Sequence, residues 1–527
     1  MPASHAHRRP IATLLVAACA GALSCGALAA PRTLAFEPYA VPTSGSIALA
    51  VREGAPMDGA LAQVDAATQG ALSRAIAAAK FRGKRDAKLD LPGLGAYDRV
   101  LLVGIGSDPV TPRLLEDVGG TVAQAVASAP DARVDLLWPG TETDAAAHLA
   151  FGASLGQYRF DKYKRRSADD AAEGARGGML VLRTPAGAGA AQAWNTQWKP
   201  VADGVAFARD VVTEPGNLLW PEEFVARTRK AFDGLPVRIE VLDEAAMKRL
   251  GMGGILAVGQ GSARPPRLVA IRYDGGATGQ APVAFVGKGI TFDTGGISIK
   301  PGDGMWRMKY DMTGAASVTG ALLALAGRRA PVNVVAIAAL AENMPSGTAA
   351  RPGDVVTTMS GKTFEIISTD AEGRMVLSDA VWYAQQKYGA RTVIDIATLT
   401  GAIVTALGDE YAGLFSRDDA LAQQLTAAGA SAGEELWRMP LHPSYAKDLE
   451  SPIADLRNGG TRSAGAGAGA HFIGEWIQPG TRWAHLDIAG MAWRETGGTP
   501  TSPAGASAFG VRLFDRYVRD HVETRAD

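Results

Sequence analysis

The most constraining feature of this sequence lies in its second half, where short unbroken apolar runs alternate with stretches of helical period. Val283 to Val286 reads as a strand, Thr313 to Gly327 as a helix and Val332 to Leu340 as a strand. Arg374 to Lys387 then reads as a helix and Thr392 to Ala397 as a strand. A strand that is apolar on both faces has to be covered on both, and strands separated by helices return in the same direction. The order therefore predicts an α/β fold with a largely parallel central sheet between helical layers. In such sheets functional groups collect on loops beyond the carboxyl ends of the strands.

A chain of 527 residues exceeds what one hydrophobic core usually serves, so a second domain is expected. Ser46 to Val51, Arg99 to Gly104, Val134 to Trp138 and Met179 to Arg183 read as strands, with a helix over Leu114 to Ala129. They describe a smaller amino-terminal α/β domain. A Gly/Ala-rich stretch, Pro185 to Ala191, precedes a helical pattern over Val201 to Val212 and places the junction between about residues 185 and 215. The expected division is residues 30–195 for the amino-terminal domain and 196–527 for the larger one.

The first 29 residues have a different character. Arg8 and Arg9 precede an acid-free apolar run, Ile11 to Leu28, that closes on Ala27-Leu28-Ala29. Positive, apolar and small residues in that order read as a signal peptide, with a periplasmic or secreted product. Val16 to Cys19 also reads as a lipoprotein cleavage box, a secondary alternative. Both cysteines, Cys19 and Cys25, lie in this segment, so the remaining chain has no thiol chemistry. A formal charge of -1 with no basic stretch gives no footprint for nucleic acid. No later stretch is long and apolar enough to span a bilayer.

Two polar clusters interrupt the strand and helix pattern. The first runs from Val286 to Lys300 and on to Met312; the second is Ser368 to Arg374, between the strand-like Thr363 to Ile367 and a helix. Between them they offer Asp293, Asp311, Asp370 and Glu372 with no histidine or cysteine nearby. Such oxygen-rich sets suit hard or borderline divalent ions, two of which can share bridging carboxylates and activate a water. Acids at loop and helix starts also cap helices, and spacing by itself leaves both readings open.

The two clusters together resemble the leucyl aminopeptidase (cytosol aminopeptidase) family, whose hallmark run is Asn-Thr-Asp-Ala-Glu-Gly-Arg. The likeness extends from about Tyr97 to the end and takes in Tyr158 to Asp161, Pro221 to Phe224, Asp395 to Ala402 and Trp483 to Trp493. It implies a metal-dependent exopeptidase that releases leucine and other mainly apolar amino-terminal residues from peptides by attack of a metal-bridging hydroxide. Lys288, Asp293, Asp311 and Glu372 would bind one Zn or Mn ion, and Asp293, Asp370 and Glu372 the other. Lys300 would polarise the scissile carbonyl, and Arg374 would hold a bicarbonate that shuttles a proton to the leaving amine. Met308, Thr398 and Gly401 would lie by the first side-chain pocket, and the assembly would be a homohexamer. The apolar, Gly/Ala-rich Ala464 to Ala470 fits an apolar contact of that kind. One departure is that Ser368 stands where the hallmark run begins with asparagine, which alters the support available to Asp370.

Two motifs and one alternative role point elsewhere. Gly152 to Gly156 matches the nucleophile elbow of serine hydrolases, which would be a different class of enzyme. Gly361-Lys362-Thr363 resembles the end of a phosphate loop, but Val356 stands where the leading glycine is needed. A non-catalytic binding role on the same fold is the remaining alternative, and a hydrolysis assay separates it from the enzyme.

Overall fold

The computed structural model describes residues 31–127, 129, 131–164, 177–459 and 465–523. The proposed leader, residues 1–29, lies outside them, as does Ala464. Among the described residues, no helix is long and apolar enough to cross a membrane.

The amino-terminal part is built on a six-stranded sheet in the order Thr33–Glu37, Met179–Arg183, Arg133–Leu137, Ser46–Arg52, Tyr97–Gly106, Lys88–Leu94. All neighbours are parallel except the last pair. Helices Pro112–Ala125 and Thr143–Gly156 pack on each other with backbones almost in contact: a methyl group on Gly119 would fall 1.9 Å from the Leu149 carbonyl oxygen, and one on Gly152 1.8 Å from that of Glu116. These glycines serve helix packing. Ser154 therefore sits within a helix rather than on a strand-to-helix turn, and the serine hydrolase reading has no elbow to rest on.

The larger part carries an eight-stranded sheet in the order Leu436–Arg438, Ala412–Ser416, Arg482–Asp487, Thr392–Ala397, Val283–Asp293, Asn333–Asn343, Arg267–Asp274, Val237–Leu242. The central four, from Arg482–Asp487 to Asn333–Asn343, are parallel. Ala412–Ser416 and Arg267–Asp274 flank them antiparallel. Alternate residues of each strand feed two cores. Phe285, Val334 and Ile394 face helices Lys199–Thr213, Thr313–Gly327 and Val511–His521. Ala284, Val286, Val335 and Val393 face Gly253–Gly259, Glu372–Tyr388 and Gly465–Gly474. A fully buried side chain such as Phe285, stacked on Phe514 at 4.3 Å, contributes about 1.5–3 kcal/mol.

Two expectations change here. The Gly/Ala-rich stretch at the junction is helical, Gly187–Ala193, and leads through Trp194–Trp198 into Lys199–Thr213. Alanine favours helix, and the tertiary packing of Trp194 outweighs the glycines. The second concerns the apolar segment offered as a subunit contact: residues 466–474 are buried in this chain's own core, beside Phe364 and Trp476. Its hydrophobicity is consumed within the subunit and lends no support to an assembly.

Candidate active site

Each parallel strand delivers something to one end of the sheet. Lys288 and Asp293 lie on Val283–Asp293, and Asn343 ends the neighbouring strand in register with Asp293. Thr398 follows Thr392–Ala397, and Asp487 ends Arg482–Asp487. Met308 and Asp311 come from the short 3₁₀ turn Met305–Met312; Glu372 and Arg374 start helix Glu372–Tyr388, with Asp370 just ahead of it; Gly401 opens Gly401–Leu407. All ten residues singled out in the sequence line one cleft of about 560 Å³.

The acids converge. Ligand oxygens of Asp293, Asp370 and Glu372 lie within 4.8 Å of one another. Asp311 joins them through Lys288, whose Nζ is 2.8 Å from Asp311 Oδ2 and 2.7 Å from Glu372 Oε1, and which donates to the Thr398 carbonyl at 2.8 Å. Lys300 pairs with Asp293 Oδ2 at 2.8 Å and with Asp370. Lys288, Asp293, Asp311 and Glu372 are buried, while Asp370 faces the opening.

Burial and crowding raise the carboxyls of Asp293, Asp311 and Asp370. Burial pushes the Asp293 carboxyl up, Glu372 adds to this, and Lys300 and Lys288 oppose it. Burial raises Asp311 well above the carboxylate range despite Lys288, and raises Asp370 despite Lys300. Burial alone would lower Lys288 and Lys300, but the surrounding carboxylates raise both above the ordinary lysine range. Four carboxyl groups against two ammonium groups leave an excess of negative charge that divalent cations would relieve. Glu372 Oε2 is buried without a hydrogen-bond partner, a free lone pair among ligands. The oxygen-rich donor set thus fits metal ions of the hard or borderline kind.

Glycines let the loops close. Gly295 has φ +88°, and a methyl group there would lie 2.9 Å from Asp370 Oδ1. Arg374 donates to the Asn458 carbonyl at 2.9 Å, while its buried Nε has no partner. Burial lowers the pKa of this guanidinium, against the pull of Glu372 and Asp487.

Several supports were missed in the sequence. Asn343 donates from Nδ2 to Asp293 Oδ1 at 2.8 Å and to the Thr369 carbonyl at 3.0 Å, tying the two clusters together. A lone amide ending an apolar strand next to the one that ends in Asp293 was the available signal. Asn458 clamps the loop ahead of Asp370, accepting from Ile367 N at 2.7 Å and donating to the Ser368 carbonyl at 2.7 Å. Ser368 Oγ accepts from Asp370 N at 3.2 Å, so its hydroxyl supports Asp370 from the backbone side. His485, fully buried, pairs with Asp395 on the neighbouring strand and does not line the cleft.

Residues 206–514 match the catalytic domain of the cytosol aminopeptidase family, and residues 48–167 match its amino-terminal domain. The chain belongs to the cytosol aminopeptidase family. Similar proteins include a probable cytosol aminopeptidase of Caulobacter vibrioides, 47% identical over 93% of this chain and 99% of its own length. Another, from Chelativorans sp., is 46% identical over 93% and 99%. Among solved structures, the bottromycin maturation enzyme BotP in complex with Mn superposes with a TM-score of 0.78 at 34% identity, covering 90% of this chain and 99% of its own. A mutant of tomato leucine aminopeptidase superposes with 0.80 at 30% identity, covering 93% and 97%.

As a member of that family, the protein is a metal-dependent exopeptidase of a kind that uses two metal ions, and it acts on peptides. The same comparisons correct one expectation. Relatives matching over nearly the whole chain are named cytosol aminopeptidases, and this overturns the periplasmic or secreted location. Two arginines and a weakly apolar alanine-rich run are compositional cues, and nothing in the fold or the chemistry of the site depends on them.

Proposed function

We propose that the protein removes amino-terminal residues, leucine and other mainly apolar ones, from peptides, using two divalent ions, Zn²⁺ or Mn²⁺. The observation that carries this reading is the convergence of all ten residues on one cleft, with three carboxylates in mutual reach. Lys288, Asp293, Asp311 and Glu372 would hold one ion; Asp293, Asp370 and Glu372 the other. When bound, the ions would supply an activated water as nucleophile, Lewis acidity toward the carbonyl and an anchor for the substrate's free amine.

The chain's own groups supply the rest. Lys300, at the cleft opening, donates to the carbonyl oxygen as charge develops there. Its ammonium pairs with Asp293 and Asp370, and cations on those carboxylates would leave its protons for the substrate. Arg374, with an unpartnered buried Nε, suits an anion such as bicarbonate, which would carry a proton toward the leaving nitrogen. Met308, Thr398 and Gly401 wall the side-chain pocket. A pocket of that kind separates substrates by only about 1–3 kcal/mol per methylene, so several apolar residues are accepted.

We further read residues 30–195 and 196–527 as the two domains and the assembly as a homohexamer, the latter from family likeness alone. The reading as an aminopeptidase is tested by comparing leucine p-nitroanilide with its N-acetylated form. Hydrolysis of the first, abolished by chelation and restored by Zn²⁺ or Mn²⁺, is expected. Equal hydrolysis of the acetylated substrate would refute the role of the free amine.

A further inference from the structure

Of the four parallel strands that end at the cleft, Arg482–Asp487 gives no residue to the ion or substrate sets above. It ends in Asp487, which is fully buried. Among the described residues, no lysine or arginine is within ion-pair distance of this carboxylate. Its hydrogen-bond donors come instead from the loop across the strand end. Oδ1 accepts from Leu399 N at 3.1 Å, Thr400 N at 3.4 Å and Ala489 N at 3.3 Å, and Oδ2 accepts from Thr400 Oγ1 at 2.6 Å. Thr400 Oγ1 in turn caps helix Gly401–Leu407 by accepting from Ile403 N.

Burying a carboxylate is costly unless hydrogen bonds compensate it, so a buried Asp held this way fixes whatever it binds. What it binds is the loop that begins with Thr398. The Thr398 carbonyl accepts from Lys288 Nζ at 2.8 Å, and its hydroxyl donates to Asp311 Oδ1 at 2.7 Å. Thr398 thus hydrogen-bonds to both Lys288 and Asp311 without being an acid of the set.

We infer that Asp487 is a positioning residue: it fixes the 398–401 loop, and through Thr398 it orients Lys288 and Asp311 toward the ion they would share. This rests on the ligand assignment proposed above. It predicts an asymmetry between the two ions, because the Asp293, Asp370 and Glu372 side is held by Asn343 and the glycine loop rather than by residues 398–401. The same loop walls the substrate cleft, so its release also acts on substrate binding.

The test is metal binding and kinetics of the full chain with Mn²⁺ as the probe, for wild type, Asp487→Ala and Asp487→Asn. Partners that orient ligands typically govern metal affinity by about 10–100-fold. Asp487→Ala is expected to weaken one of two Mn²⁺ sites by that factor, leave the other unchanged and raise KM for leucine p-nitroanilide. Asp487→Asn should recover most of both, because its amide oxygen still accepts from Leu399 and Ala489 and its NH₂ donates to Thr400. A purely structural role would lower the melting temperature without separating the two ions. Should Asp487→Ala fail to fold, Thr400→Val cuts the same link at the loop and is expected to shift the same single site. Two sites of wild-type affinity and an unchanged KM in Asp487→Ala, or in Thr400→Val in its place, overturn the inference. Wild type binding fewer than two Mn²⁺ ions would instead overturn the ligand assignment, and the inference with it.

Discussion

Lys300→Ala separates stabilising the reaction from holding the metals. In the structure the Lys300 ammonium lies 2.8 Å from Asp293 Oδ2 and also pairs with Asp370, with 21% of its side chain exposed at the cleft. Removing it makes the carboxylate cluster more negative by one charge and deletes a cation that competes with metal ions for two carboxylates. Metal content is therefore expected to stay the same or rise. The rate behaves differently, because a donor aimed at the developing oxyanion acts in the transition state. Loss of one such donor costs about 2.7–4 kcal/mol, or roughly 10²–10³ in kcat. Steady-state kinetics on leucine p-nitroanilide with elemental analysis of the same samples reads both quantities. A variant that loses its metals would make Lys300 a ligand. One with near wild-type kcat would make it a bystander, and the carbonyl would need another electrophile.

Two further outcomes follow from packing and burial. In Gly373→Ala the added methyl would meet Lys288 Cδ at 2.6 Å and Nζ at 2.9 Å. Mn²⁺ titration should show one site weakened by about tenfold or more with the melting temperature little changed, since alanine suits a helix, and an unaltered titration would refute the crowding argument. Asp379 is a stability probe: burial pushes its carboxyl up to about 7 from 3.8, against hydrogen bonds from Met359, Ile255 and Gly254 amides. The folded state then keeps a proton that the unfolded chain has released, so stability falls as pH rises from about 4 through 7, by up to ~4 kcal/mol for this group. Denaturant midpoints across that range should be flatter for Asp379→Asn than for wild type; parallel curves would show that Asp379 ionises normally.

Much of this architecture was legible because the central strands are apolar on both faces. Val283–Asp293, Asn333–Asn343 and Thr392–Ala397 announce themselves as unbroken runs that have to be covered from both sides. The outer strands were harder. Lys88–Leu94 contains Pro92 and Gly93 and survives because it lies at a sheet edge, where its pairing partner is on one side only. The Gly187–Ala193 helix has too few distinctive side chains to be told from a linker. Within the site, the acids stood out as polar interruptions of apolar sequence, whereas Asp311 rides on a short 3₁₀ turn with no periodicity of its own. Asn343, Asn458 and Asp487 act through hydrogen bonds that, apart from the one Asp487 accepts from Ala489, reach residues 26 to 91 positions away, for example Asn343 to Thr369 and Asn458 to Ile367. Sequence spacing carries no trace of such contacts until the strands are placed side by side.

The central claim is that one chain holds two divalent ions on Lys288, Asp293, Asp311, Asp370 and Glu372. Its most direct test is elemental analysis after metal stripping and reconstitution, on wild type and Asp293→Ala. Wild type should bind two ions per chain and regain peptidase activity with Zn²⁺ or Mn²⁺. Asp293→Ala should bind fewer and stay inactive, because both ions draw on that carboxylate. Full activity in a demonstrably metal-free wild type, or two tightly bound ions in Asp293→Ala, would contradict the account.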